Sequence, residues 1–112
     1  MGYSRAVRVG HVVEVVGTTA QDRDGVSGTD GHTQTKRILG KIAAALAEAG
    51  AMPQDVVRTR MFVTDVSQWE AVGRAHGEVF GGIRPATTRG EVKAIIAPRL
   101  LVEIEVAAII SD

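Results

Sequence analysis

The sequence predicts an α/β domain in which one sheet carries two helices on a single face. Three observations lead there. Two stretches repeat apolar residues at helical spacing, several others are β-branched and alternate in polarity, and the segments run in the order β-β-α-β-α-β-β. The 112 residues, 45% hydrophobic and 23% charged, form one domain over 1–112. A chain of this size buries enough surface for a core without metal or disulfide support.

Alternation from Tyr3 to Val9 and the Val-rich stretch from His11 to Val16, on either side of Gly10, predict two short strands joined by a tight turn. Residues 17–31 follow, with Gly25, Gly28 and Gly31 among Asp and Ser, which is turn and loop chemistry. Ile38, Leu39, Ile42, Ala43, Leu46 and Ala47 then mark one stripe of a helix of about four turns, with Thr33 expected as N-cap and Gly50 as the stop. After Pro53, Val56 to Thr64 forms a third strand with Arg58 and Arg60 on one face. Asp65 or Ser67 can cap a second helix across Trp69 to Phe80, its apolar side holding Trp69, Val72, Val79 and Phe80, and Gly81 and Gly82 end it. A fourth strand is expected from Thr87 to Ile96. The fifth runs from Leu101 to Ile110, with Leu101, Glu103 and Glu105 on one face and Val102, Ile104 and Val106 on the other.

Two helices cover one face of such a sheet, and the other still needs a partner. Charged Arg58, Arg60, Glu103 and Glu105 on that face leave it either solvated or paired with another subunit. The amount of β-branched apolar surface favours the subunit.

Composition excludes several classes. Thirteen Lys and Arg balance thirteen Asp and Glu, so no net field gathers nucleic acid or an anionic membrane. Without cysteine there is no disulfide scaffold, thiolate metal site or cysteine nucleophile. No apolar run approaches the ~20 residues of a spanning helix and the N-terminus lacks a signal-peptide core, so a cytoplasmic protein is expected. His11, His32 and His76 show no i, i+4 pairing for a metal. The glycines at 25, 28 and 31 lack the Gly-Lys-Ser/Thr of a phosphate loop, and Asp22 and Asp24 lack the remaining ligands of a calcium loop. Neither a metal nor a cofactor is expected.

Five blocks carry a resemblance: Tyr3-Ser4 with Ala6-Val7, Val15-Val16-Gly17, the run from Arg58 to Asp65, the run from Arg84 to Thr88, and Val102-Glu103-Ile104-Glu105. Together, in order from Tyr3 to Ile109, they resemble the RidA (YjgF, endoribonuclease L-PSP) family. The resemblance implies a chorismate-mutase-like fold, a homotrimer with its sheets at the centre, and small clefts between subunits. It also implies cofactor-free hydrolysis of reactive enamines or imines to 2-keto acids and ammonia.

Residue by residue, Tyr3 and Gly17 match cleft-lining positions and Glu103 matches the carboxylate that positions the attacking water. Thr87 stands where active members have a carboxylate-binding Arg after the Pro-Ala pair, and Val16 replaces a Ser. The chain also lacks the short segment that usually precedes the Tyr-Ser pair. Loss of a bidentate Arg contact removes on the order of 1.5–3 kcal/mol of charged hydrogen bonding. Arg89, two residues beyond Thr87 on the same strand face and about 7 Å further along, is the expected substitute for the anion contact.

Plainer readings stand beside these. Glu103 can pair with Arg58 or Arg60, Tyr3 can cap the core edge, and Thr87 and Thr88 suit a strand by propensity alone. Two functions therefore stay open, an enamine or imine deaminase and a non-catalytic trimer that binds a 2-keto or 2-imino acid. Ribonuclease activity is disfavoured by the neutral charge and the lack of a basic aromatic strip.

Overall fold

The computed structural model describes residues 2–111. Strands β1 (Ala6–Val9) and β2 (Val12–Thr18) lead through a small hairpin, β3 (Gln21–Asp22) and β4 (Gly25–Val26), into α1 (Gly31–Glu48). Next come β5 (Val56–Val63), α2 (Trp69–Phe80), β6 (Ala86–Glu91) and β7 (Val102–Ile109). The five main strands form one sheet in the order β1-β2-β7-β5-β6. All neighbours are antiparallel except β5 and β6, which α2 joins as a parallel crossover.

The turn between β1 and β2 works because Gly10 takes φ 60 at its first central position, as a II′ hairpin requires. Helix α1 stops as expected. Gly50 adopts φ 84, its N–H bonds the Ala47 carbonyl, and the Ala51 N–H reaches back 2.8 Å to the Leu46 carbonyl, a Schellman closure. Its start differs from expectation. Asp30, not Thr33, is the N-cap: its carboxylate accepts from the Thr33 N–H at 2.7 Å and sits where the helix dipole favours negative charge. Helix α2 begins directly after a 3-10 turn (Val66–Gln68) that Asp65 caps through the Ser67 N–H at 2.9 Å.

Ile38, Leu39, Ile42 and Leu46 of α1 and Val72, Ala75 and Phe80 of α2 pack on the inward residues of the sheet, among them Val13, Val15, Met61, Val63, Val102, Ile104 and Val106. Ala47 is exposed, and Gln34, Thr35 and Ala45 extend the buried stripe instead. Both helices thus cover one face, as the pattern requires.

Two expectations are corrected. The fourth strand ends at Glu91, because β5, its partner, ends at Val63 and the last backbone bond runs from the Val92 N–H to the Val63 carbonyl. Residues 92–101 form a loop, clamped by the buried Gln34 side chain. That amide donates to the carbonyls of Gly28 (3.1 Å) and Arg99 (2.9 Å) and accepts from the Leu101 N–H (2.9 Å). Within the expected loop of residues 17–31, Gln21–Asp22 and Gly25–Val26 pair as strands around Gly25 at φ 117.

The opposite face of the sheet is open. It carries Val7, Val9, Val12, Val16 and Ile109, exposed by between 38% and 72%, together with Glu103, Glu105, Arg58 and Arg60. Among the described residues no helix is long and apolar enough to cross a membrane.

Candidate functional site

Strand β2 is one residue longer than its partner needs. Val15 pairs with Val106 and Thr18 with Ile104, so three steps on β2 match two on β7, and the excess forms a bulge at Val16 and Gly17. The bulge turns the Gly17 backbone onto the side chain of Glu103. A Cβ at Gly17 would overlap the Glu103 carboxylate, so this approach needs glycine.

Glu103 is half-buried, and burial first, with the neighbouring charge of Glu105 second, pushes its carboxyl above the ordinary range. The cations of that face are engaged elsewhere. Arg60 lies opposite Glu105 across the β5/β7 ladder and bonds it at 2.8 Å, and Arg58 donates to the Thr88 hydroxyl at 2.6 Å. Glu103 has no ion pair among the described residues. A carboxylate raised in this way holds a proton more readily than an exposed one, which suits a group that orients and deprotonates water.

Gly17 also borders a shallow depression of about 230 Å³, lined among others by Tyr3, Arg5, Thr18, Thr19 and Lys41. Lys41 is fixed there by the carbonyls of Thr19 (2.7 Å) and Gln21 (2.9 Å) and by Asp22 (3.2 Å). Tyr3 is well exposed at its rim. Gly17 is thus the shared element: it borders this depression together with Tyr3 and lies against Glu103, which does not line the depression.

Thr87 and Arg89 lie elsewhere. They sit on β6, three strands from β2, or about 14 Å across the sheet. Their side chains share a face, as expected, but it is the helix-covered one. The Thr87 hydroxyl lies 2.8 Å from that of buried Thr59 and donates to the Pro85 carbonyl at 3.1 Å. Thr59 in turn lies 3.0 Å from His76 Nε2 on α2. A head-to-tail chain results when His76 donates to Thr59, Thr59 to Thr87, and Thr87 to Pro85. Burial, and then the charge of Arg89, lower the His76 pKa and favour the neutral ring. The Arg89 guanidinium stacks 3.5 Å over the Trp69 ring. Arg84, just before this strand, takes φ 59, a left-handed conformation uncommon for a residue with a Cβ.

Sequence reasoning did not single out Arg5 as a lining residue, nor the link from His76 through Thr59 to Thr87. The position of Arg5, two residues after Tyr3, was a local clue to the first. The second depends on packing across α2 and offers no sequence signal. Among the described residues no group of three or more His, Asp or Glu is placed to hold a metal ion.

The family model described as Endoribonuclease L-PSP matches residues 1–110. An uncharacterized protein of Streptomyces coelicolor is 43% identical over 108 residues, covering 96% of this chain and 81% of that protein. A RutC family protein of Pyrococcus abyssi is 34% identical over 95% of this chain and 84% of its own. Among solved structures, a Mycobacterium tuberculosis protein described as a member of the highly conserved YjgF/YER057c/UK114 family superposes with a TM-score of 0.90. It is 53% identical, over 97% of this chain and 87% of that one. A Thermotoga maritima protein described as a putative endoribonuclease gives a TM-score of 0.93 at 28% identity, over 100% and 89% of the two chains.

Proposed function

Since the chain belongs to the Endoribonuclease L-PSP family, which is the RidA (YjgF) family, we propose that it assembles as a homotrimer binding a small 2-imino or 2-keto acid between subunits and hydrolysing reactive imines. The observation that carries this reading is Glu103, a half-buried carboxylate with raised pKa and no ion-pair partner among the described residues, held against the Gly17 backbone.

The open sheet face supports assembly. Its Val and Ile side chains gain from burial, at roughly 25 cal/mol per Å² of apolar surface, and the Arg60–Glu105 pair already neutralises part of its charge. The separation within one chain supports a shared site as well. Gly17 on β2 lies about 14 Å, and Glu103 on β7 about 10 Å, across the sheet from the strand of Thr87 and Arg89, whose side chains turn to the other face, so a cleft holding all of them takes them from two subunits.

In such a cleft Glu103 accepts a proton from water as the water oxygen bonds to the imine carbon. That proton passes to nitrogen to give a carbinolamine; the remaining hydroxyl proton then moves to nitrogen, the carbonyl forms as the carbon–nitrogen bond breaks, and ammonia departs from the 2-keto acid. An enamine such as 2-aminoacrylate first tautomerises to its imine. No redox partner is needed, and the protein supplies position and a base. Tyr3 and the Gly17 backbone line the cleft, the Thr87 hydroxyl offers a hydrogen bond, and Arg89 meets an anion only by leaving the Trp69 ring.

The test is an assay in which 2-aminoacrylate is generated in place and 2-keto acid is scored above the spontaneous rate. The expected result is acceleration by the protein and a loss of about 10²-fold or more in Glu103→Ala. Full activity in that variant overturns the mechanism. A second reading, binding without turnover, draws on the Thr87 hydroxyl being tied to Thr59 and Pro85 and on the stacking of Arg89. Saturable binding of pyruvate without acceleration would select it. Sedimentation at micromolar concentration tests the assembly, and a stable folded monomer removes the second wall of the cleft.

A further inference from the structure

We infer that Arg5 is the residue that holds the ligand's carboxylate, so that the anion contact missing at Thr87 is supplied from the strand that carries Tyr3. This rests on the reading above and assigns its recognition step to a new residue.

Arg5 lies at the meeting point of three adjoining depressions along α1, the first of which it lines together with Tyr3, Gly17 and Lys41. Its backbone is fixed beside the bulge, because its carbonyl accepts the Val16 N–H at 2.9 Å. Four cations, Arg5, Arg8, Arg37 and Lys41, face two carboxylates, Asp22 and Glu48, around these depressions, so the local charge is positive in a chain whose total is zero.

The other three cations have partners. Arg37 bonds Asp22 at 2.9 Å, Lys41 bonds Asp22 and two carbonyls, and Arg8 donates to the carbonyls of Gly10 (2.9 Å) and Ala49 (2.8 Å). Of these four, Arg5 alone makes no side-chain hydrogen bond or ion pair among the described residues. The remaining site candidates are committed too: Arg58 to Thr88, Arg60 to Glu105 and Arg89 to Trp69. Among these depression-lining and candidate residues, Arg5 is the one guanidinium that can take a carboxylate without giving up a contact, and its fork suits a bidentate one.

Gly17 borders the first of these depressions and lies against the Glu103 carboxylate, which does not itself line it, so Gly17 is the link between the Arg5 side and Glu103.

Calorimetric titration with pyruvate and with its neutral analogue pyruvamide tests this on the assembled protein, comparing wild type with Arg5→Gln, Arg5→Lys and, as a control on the β3–β4 turn, Arg23→Gln. Wild type should prefer pyruvate. Arg5→Gln should weaken pyruvate by about tenfold and leave pyruvamide unchanged, Arg5→Lys should keep part of the preference, and Arg23→Gln should match wild type. Equal pyruvate affinity in wild type and Arg5→Gln, or no preference for pyruvate in wild type, overturns the inference. If 2-aminoacrylate turnover then still depends on Glu103 while the KM of Arg5→Gln is unchanged, the proposed function stands and only Arg5 falls. Absence of both binding and turnover removes both.

Discussion

Replacing Gln34 by Leu removes a side chain that is 0% exposed and makes three hydrogen bonds, to the Gly28 and Arg99 carbonyls and from the Leu101 N–H. Leu fits the volume but offers no polar atom. The part-buried Leu101 amide would be stranded at a cost of about 1–3 kcal/mol, and the two carbonyls, nearer water, lose about 0.5–1.5 kcal/mol each. Better burial of the Leu side chain returns about 1 kcal/mol. The net loss is about 1–5 kcal/mol, to be set against the roughly 5–15 kcal/mol that holds a domain together. Urea unfolding at one fixed protein concentration, needed because assembly shifts apparent stability, should show the midpoint falling accordingly. Hydrogen exchange gives the local readout: the Leu101 amide should lose protection beyond the global change, because residues 92–101 lose their clamp to α1. A loss under about 1 kcal/mol with Leu101 protection unaltered would refute the reasoning, and would mean that water replaces the amide at no cost.

Gly17→Ala should fold, because the group in the way is the end of a flexible side chain, but Glu103 must swing off the bulge; keto-acid production should drop by about 10²-fold with little change in thermal midpoint. Glu103→Gln should raise the thermal midpoint at pH 7 while abolishing turnover. The raised carboxyl pKa means ionisation destabilises the fold as pH rises through it, so the gain should vanish when both states are protonated, below the ordinary value of 4.5. His76 works in the opposite window. Its folded pKa lies below the ordinary 6.5, so the unfolded chain binds the extra proton first and stability falls as pH drops through 6.5. His76→Gln should flatten that decline in a melting series from pH 7.5 to 5, and an unchanged slope would show that the ring is not held neutral against Thr59.

Local chemistry explains how much could be read from the chain alone. Apolar spacing placed α2 over Trp69–Phe80 and ended α1 at Gly50, and alternation put Glu103 and Glu105 on one face of the last strand with Val102, Ile104 and Val106 on the other. Each of these depends on residues within a turn or a strand of one another, and a periodic pattern records such neighbours. The start of α1 was displaced because Asp and Thr are both capable caps, and the choice between them falls to the surroundings. Gly31, next to Asp30, packs so closely on Gln68 and Val72 of the α2 region that a Cβ there would crowd both. Gln68 also accepts the Gly31 N–H at 2.9 Å.

By itself, then, the sequence determined the order of the main strands and helices, the polarity of each face and the candidate residues. Only the tertiary structure decided that β6 runs parallel to β5 and stops with it at Glu91, that one surplus residue in β2 lays Gly17 on Glu103, and that Thr87 and Arg89 turn toward α2. The reason is physical: strand register, bulges and stacking are set by pairing between segments far apart in the chain, and no local pattern encodes which distant backbone will be the partner.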